Sequence, residues 1–426
     1  MLDIKFIREN KDLIKDGARK KHIEYDVERL LEVDANRREL LLSIEGKKTE
    51  QNKFSQDITR AQDATIRTDL IDKMRVIKEA SKIDEEKLVE VMKEWQALMV
   101  AVPNIPDMSV PEGATDEENQ EVRVWGTLPK FEYEAKDHID LMLANDMVDF
   151  DRGSKVAGFR GYILKNDGAL LEFAVWQLAL EHMTKKGFSP MIVPSLVRRE
   201  TLLGTGYIPQ GEDDLYKTQD GEYLAGTGEV ATMSFYADEI LDRAQFPMKM
   251  LAFSPCFRRE AGSHGKDTKG IYRVHEFFKM EQVVLCEANH EESVKLHEEL
   301  TANAEELLQA LEIPYHVVVN CGGDLGLGQV KKYDIEAWRP SVLKYGETHS
   351  SSYFHDFQTR RLNIRYRDAE GKMKFAHSLN NTAVATPRIL ISIVENNQQA
   401  DGSIKIPKVL QKYMGGREFI NGKITN

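Results

Sequence analysis

The sequence predicts an α+β chain: an N-terminal antiparallel two-helix coiled-coil arm, then a domain with a mainly antiparallel sheet flanked by helices. Three observations predict it. Residues 26–100 contain no proline and a single glycine, Gly46, and two apolar seams with spacings of three and four run through them. Pro103, Pro106 and Pro111 then break the helical pattern. Beyond them, strand-like runs follow one another through hairpin-type turns rather than crossover helices.

The arm is expected at about 26–100, within an N-terminal domain of residues 1–105, with the second domain spanning 106–426. One seam runs through Leu40, Ile44, Phe54 and Ile58. The other runs through Leu70, Met74, Ile77, Leu88, Val91, Trp95 and Leu98. Each has a polar gap, at Lys47 and Gln51 in the first and at Ser81 and Asp84 in the second. A reversal near Asp63, Ala64 and Thr65 sets these gaps opposite each other. That matching favours one antiparallel hairpin over two unrelated helices. Charge is uneven along it: residues 47–82 carry nine basic and six acidic side chains, while the flanking stretches are net negative. A positive distal half is a candidate phosphate-binding surface, to be weighed against an ordinary solvated coiled coil.

In the second domain, residues 170–186 read as an amphipathic helix closed by Gly187, followed by an extended segment, 188–194. A helix over 291–311 precedes a strand at 316–319. Residues 361–367 and 373–377 read as a hairpin across Asp368, Ala369, Glu370 and Gly371.

Composition excludes several classes. The chain of 426 residues has a net charge of −12, which argues against a generally basic nucleic-acid coat. Cys256, Cys286 and Cys321 lie far apart, so neither a zinc site nor a disulfide framework is implied. No apolar stretch approaches a signal peptide or a membrane span; a soluble, cytoplasmic protein with no membrane partner is expected. Neither GxGxxG nor GxxxxGK[ST] is present.

The densest polar constellation is Cys256-Phe257-Arg258-Arg259-Glu260-Ala261-Gly262-Ser263, a basic loop, and Gly270-Ile271-Tyr272-Arg273-Val274-His275-Glu276-Phe277-Phe278-Lys279-Met280-Glu281. As an extended strand, the second half puts Arg273, His275, Phe277, Lys279 and Glu281 on one face. That face offers a guanidinium for phosphate, an aromatic for a base and a carboxylate for an ammonium group. A surface strand of alternating salt bridges would read the same way.

This stretch resembles motif 2 of the class II aminoacyl-tRNA synthetases, in the form found in the seryl-tRNA synthetase family. Other segments resemble that family in order. The segment ending at Pro194 is similar to motif 1, which builds the dimer interface. Leu224-Ala225-Gly226-Thr227-Gly228-Glu229 is similar to its serine-binding loop, with Gly228 for the usual alanine. Glu347-Thr348-His349-Ser350 and Asp356-Phe357-Gln358-Thr359-Arg360-Arg361 are typical of it. Leu379-Asn380-Asn381-Thr382-Ala383 with Pro387-Arg388 resembles motif 3. Tyr353, His355, Thr382 and Pro387 depart from the commoner family residues.

The resemblance implies a class II catalytic domain, a homodimer, and ATP, L-serine and tRNA(Ser) as partners, with tRNA(Sec) also within the family's range. It implies that Arg258, Glu260 and Arg388 are catalytic. ATP would meet Arg258, Arg259, Glu260, Arg273, Val274, Phe277, Glu347, Thr348, His349, Ser350 and Arg388. Serine would meet Thr227, Gly228, Glu229, Arg258, Glu281, Asn380 and Thr382. Glu347 and Ser350 would hold Mg2+ brought with ATP, and no zinc is expected. On the arm, Lys47, Lys48, Lys53, Arg60, Arg67, Lys73, Arg75 and Lys78 would meet tRNA. Only 38 residues follow Arg388, too few for the anticodon domain of threonyl or prolyl enzymes. Two alternatives remain: a serine-type ligase loading a carrier protein, and an inactive RNA-binding paralogue. Adenylation needs no general base, because the attacking carboxylate is already ionised; positioning and charge stabilisation do the work. His275 is therefore expected to pack or hydrogen-bond rather than act as a base.

Overall fold

The computed structural model describes residues 1–421 apart from 263, 264 and 266. The chain forms two compact units. One holds Leu2–Arg19 and Ile23–Pro103; the other holds Met1, Lys20–His22 and the chain from Asn104 onward.

The first unit is helical, and its two long helices are Val27–Arg60 and Ala64–Ala101. Asp26 caps the first by accepting from the Arg29 N–H, and Asp63 caps the second by accepting from Thr65 and Ile66, which satisfies amides that have no partner within the helix. At about 1.5 Å per residue, 34 and 38 residues reach about 50 Å. The predicted register is present. Ser55 meets Met74, Ser43 donates to Asp84 at 2.8 Å, and the Trp95 indole donates to Asp34 at 3.1 Å. The two polar gaps do face each other: the Lys47 ammonium pairs with Asp84 and donates to Ala80 O. The turn falls at residues 61–63, just before the predicted reversal. Asp34 is wholly buried, and Arg8, Arg37 and Arg38 all pair with it. The Arg37 guanidinium also lies 4.7 Å over the Trp95 ring.

The second unit is built on an eight-stranded sheet. Its strands are β1 (Gln120–Trp125), β2 (Ser189–Ile192), β3 (Met248–Phe257), β4 (Glu276–Cys286), β5 (Tyr315–Val319), β6 (Lys331–Arg339), β7 (Lys344–His355) and β8 (His377–Thr386), in the spatial order β1-β5-β6-β7-β8-β4-β3-β2. Every neighbouring pair is antiparallel except β2 with β3. The helix His290–Ala310 packs on β7 and β8, and Asp167–Lys185 packs on β8. Lys186 caps the latter, and Gly187 takes φ +85°, a conformation that glycine adopts without a Cβ penalty. β4 is buried continuously from Lys279 to Cys286, because it lies between β3 and β8.

Two expectations need correction. The hairpin read over 361–377 is shorter, Arg365–Arg367 with Met373–Phe375. Arg361 closes a short helix, Phe357–Arg361, and His377 opens β8. The strand read from Arg273 starts only at Glu276. Arg273, Val274 and His275 therefore lie in the preceding loop, and alternation does not govern them.

Replacing Asp34 with alanine removes the shared anion of three arginines and strands the Trp95 N–H. We predict a loss of about 2 kcal/mol in arm stability, read as faster hydrogen exchange of helix amides around residues 30–38 and 92–99.

Candidate active site and arm surface

A cavity of about 460 Å³ opens over β4, β7 and β8. It gathers Glu229, Arg258, Glu260, Arg273, Val274, Phe277, Glu281, Glu347, Thr348, Ser350, Asn380, Thr382 and Arg388. Sheet register explains the convergence: β4 lies between β3 and β8, so Glu281 is paired with Ala252 on one side and Thr382 on the other. Opposite Met280 and Glu281, β8 carries a bulge at Ala383, which brings Thr382 rather than Ala383 against Glu281.

One part of the cavity is cationic. The Arg258 guanidinium lies 5.3 Å over the Phe277 ring, and its Nε donates to Gly226 O at 3.3 Å. A Cβ on residue 226 would approach Arg258 Nε to 3.3 Å; glycine leaves that space open. Arg273 donates to Glu260 at 2.7 Å. Glu260 has φ +55°, uncommon for a residue with a Cβ and typical of strain kept at working sites. Arg388 pairs with Glu347 at 3.1 Å and lies 4.6 Å over Tyr272. Glu347 is held well below the usual carboxylate range; partial burial would raise it, but Arg388, Lys332 and Arg258 outweigh that.

The opposite part is anionic and dry. Glu229 and Glu281 are 4% and 2% exposed. Tyr207 donates to Glu229 at 2.8 Å, and Gln358 donates at 2.5 Å. Glu281 is paired with the buried Lys279 ammonium. Burial pushes Glu229 up to about 7, and the charge on Glu281 adds to this; burial also raises Glu281. Thr227 caps the helix Gly228–Ser234 and accepts from the Glu229 N–H at 3.2 Å, which fixes where that helix starts and where Glu229 points. Gly228 sits tightly: an added Cβ would come within 3.1 Å of Ser254 Oγ and 3.3 Å of Ala252.

Four expected residues stand off the cavity wall. Thr227 and Gly228 support it from below, as described. Arg259 is turned away, its N–H bonded to Asp214 O and its guanidinium to Asp213 O. His349 faces the other side of β7, with Nδ1 2.8 Å from Thr348 Oγ1 and its pKa pushed down to about 4 by burial. The bulge near Thr348 shifts the face by one residue, so Glu347, Thr348, Ser350 and Ser352 point inward and His349 does not. His275 leaves the expected face altogether. It lines a separate hollow with Phe159 and Tyr216, and its Nδ1 lies 3.0 Å from Arg258 O. The loop after Glu260 includes residues 263, 264 and 266, which lie outside the described residues. Sequence reasoning missed Tyr207, Tyr272, Gln358 and the wall at residues 326–329. Only the glycine-rich run Gly326-Leu327-Gly328 marked that wall.

On the arm, Lys53, Arg60, Arg67, Lys73, Arg75 and Lys78 are exposed. Lys73 pairs with Asp69, Arg75 with Glu79 and Lys48 with Glu85. Lys47 is turned into the hairpin seam against Asp84, because the polar gap there needs a cation. Among the described residues, no group of three or more His, Cys, Asp or Glu is arranged to hold a metal ion, and no helix is long and apolar enough to cross a membrane. The three cysteines are free and buried.

Two family descriptions match this chain: "Seryl-tRNA synthetase N-terminal domain" over residues 1–106 and "tRNA synthetase class II core domain (G, H, P, S and T)" over 215–397. A serine–tRNA ligase of Deinococcus radiodurans is 46% identical over 421 residues, with 99% of each chain covered. One from Dictyoglomus thermophilum is 42% identical, covering 98% of this chain and 99% of its own. Among solved structures, a seryl-tRNA synthetase of Pyrococcus horikoshii complexed with ATP matches with a TM-score of 0.92 at 40% identity. A cytoplasmic serine–tRNA ligase of Naegleria fowleri in complex with AMP matches with 0.87 at 33%. Both matches cover 99% of each chain.

The buried Glu229 generates a pH signature. Its folded-state pKa of about 7 lies above the unfolded value of about 4.3, so the folded state binds this proton more tightly. The associated stability is present at low pH and is lost as pH rises through about 7. Relative to wild type, Glu229→Gln should gain about 3 kcal/mol of unfolding free energy between pH 4 and 8, measured by denaturant titration across that range.

Proposed function

Because the chain belongs to the seryl-tRNA synthetase family, we propose that this cavity joins L-serine to ATP as seryl-adenylate and then passes the seryl group to the 3′ end of tRNA(Ser). The observation that carries the reading is the division of one cavity into a cationic part, with Arg258, Arg273 and Arg388, and a dry anionic part, with Glu229 and Glu281.

In this reading the serine ammonium sits at Glu229 and Glu281, its side chain faces Asn380 and Thr382, and its carboxylate points toward Arg258. The carboxylate attacks the α-phosphorus and pyrophosphate leaves. Arg258 meets the charge that develops on the α-phosphate, while Arg273 and Arg388 hold the departing phosphates. These guanidiniums are already fixed by Gly226 O, Glu260 and Glu347, so little reorganisation accompanies the reaction. Phe277 offers a face to the adenine, and Val274 packs beside it. Glu347 and Ser350, oxygen donors facing into the cavity from β7, fit a magnesium ion arriving with the nucleotide; bound there, it neutralises phosphate charge. Arg259, His349, Thr227 and Gly228 act by supporting residues that touch substrate.

The reading includes a homodimer. Edge strand β2 leaves Ile192 (87% exposed) uncovered, in the segment similar to motif 1, and the preceding helix Asp167–Lys185 leaves Phe173 and Leu170 uncovered. A cytoplasmic setting suits the three free thiols. The carrier-protein ligase and the inactive paralogue have no support: the N-terminal family match includes the arm, and Arg258, Glu281, Glu347 and Arg388 converge on the cavity.

Two measurements test the two halves of the reaction. Arg258→Ala should fold normally and lower serine-dependent ATP–pyrophosphate exchange by about 10²–10³; exchange within threefold of wild type would remove Arg258 from its role. Reversing charge at Lys73, Arg75 and Lys78 together should raise the tRNA KM about tenfold or more at low salt, less at high salt, and leave exchange unchanged. Unaltered charging kinetics would rule out this face of the arm.

A further inference from the structure

One wall of the cavity is formed by residues without reactive side chains: Gly326, Leu327, Gly328 and Gln329. Their four successive carbonyls all accept hydrogen bonds, and two residues remote in sequence supply the donors. The Lys21 ammonium donates to Gly326 O at 2.9 Å, Leu327 O at 2.9 Å and Gln329 O at 2.6 Å. The Asn104 N–H donates to Leu327 O at 2.9 Å, and its side-chain amide donates to Gly328 O at 2.9 Å and Phe354 O at 2.8 Å. Lys21 and Asn104 are 2% and 4% exposed.

A lysine buried only for packing would be outperformed by methionine, which loses no hydration. An ammonium, however, has three donors, and here each has its own carbonyl. Burial pushes the Lys21 pKa well below the ordinary lysine value, yet a neutral amine, with one donor fewer, would leave one of the three carbonyls unmatched. The use of lysine here is directional: it fixes three points of a glycine-rich loop that has little stiffness of its own.

The other side of the loop leads to the substrate. The Gln329 amide donates to Ser352 Oγ at 2.8 Å, and Ser352 pairs with Asn380 across β7 and β8. Gly328 lies against Phe354 and Phe357; an added Cβ would come within 2.6 Å of the Phe357 ring. The loop thus rests on β7, the strand paired with the one that carries Asn380 and Thr382.

We propose that Lys21 and Asn104 are positioning residues for the serine side of the cavity: by holding the carbonyls of residues 326–329 they set the distance from the loop to Asn380 and Thr382, and with it the room for the amino-acid side chain. The inference rests on the assignment of serine to that side. It makes Lys21 and Asn104 determinants of serine affinity and of discrimination against threonine, which differs by one methyl group.

The test compares Lys21→Met, Lys21→Arg and Asn104→Ala in the full-length chain by pyrophosphate exchange. Lys21→Met and Asn104→Ala should each raise the serine KM about tenfold and narrow the serine-over-threonine ratio of kcat/KM by about the same factor. The ATP KM should stay within twofold. Lys21→Arg, which keeps directional donors, should recover part of the loss. A role confined to stability would lower Tm and the amount of active enzyme while leaving the serine KM and the threonine ratio unchanged; that result overturns the inference. If Lys21→Met fails to fold, Asn104→Ala, which keeps the three lysine bonds, decides the matter alone. Glu281→Gln run in parallel separates the two levels. A raised serine KM there, with none in the loop variants, defeats only this inference; an unchanged serine KM in Glu281→Gln defeats the placement of serine itself.

Discussion

The cavity over the sheet depends on one backbone arrangement, the pairing of β4 between β3 and β8. Ladder hydrogen bonds set the register of Glu281 against Ala252 and Thr382, and side chains on successive strands then meet without further adjustment. A slip of one residue would send every one of them to the opposite face. The register is protected because β4 is buried through eight consecutive residues, so a slipped strand would force apolar side chains out of the core. Polar residues inside this strand, Lys279, Glu281 and Gln282, are tolerated only because partners meet them: Lys279 pairs with Glu281, and Gln282 bonds to Leu300 O and Asn303.

Much of this was legible in the sequence. The hairpin followed from seam periodicity and from the opposition of its polar gaps, both consequences of local geometry. The cavity residues followed from the spacing within β4 and from resemblance to a known family. What was not legible depended on irregularities. The bulge near Thr348 separates His349 from its neighbours, and the late start of β4 sends His275 to a different hollow. Bulges insert one unpaired residue without a compositional mark, so alternation misjudges the positions beside them. Lys21 and Asn104 were out of reach for another reason: each acts on a partner more than 200 residues away in sequence, and nothing nearby signals the contact.

The two halves of the cavity solve opposite electrostatic problems. The arginines are fixed in advance by carboxylates and carbonyls, which keeps them aimed without neutralising the group as a whole. Glu229 and Glu281 are kept dry and close together, which makes their charge costly and their appetite for a cation strong. In the folded chain Lys279 meets part of that appetite. In the proposed reading, an amino acid binding there would exchange one ammonium for another, and its strength would be set by the difference between them.

The hairpin register has a consequence for how the arm can vary in length. Because Ser43 meets Asp84, Ser55 meets Met74 and Asp34 lies by Trp95, each step toward the turn on one helix is matched by a step on the other. A deletion in one helix alone would set Lys47 against apolar seam residues and leave Asp84 without its cation. Shortening is compatible with the seam only when equal segments are removed on both sides of residue 62, in blocks that preserve the repeat of about seven residues. The arm is in this sense a graduated rod: its length can change only in paired increments of about 10 Å, so neighbouring lengths between those increments are inaccessible to single insertions or deletions.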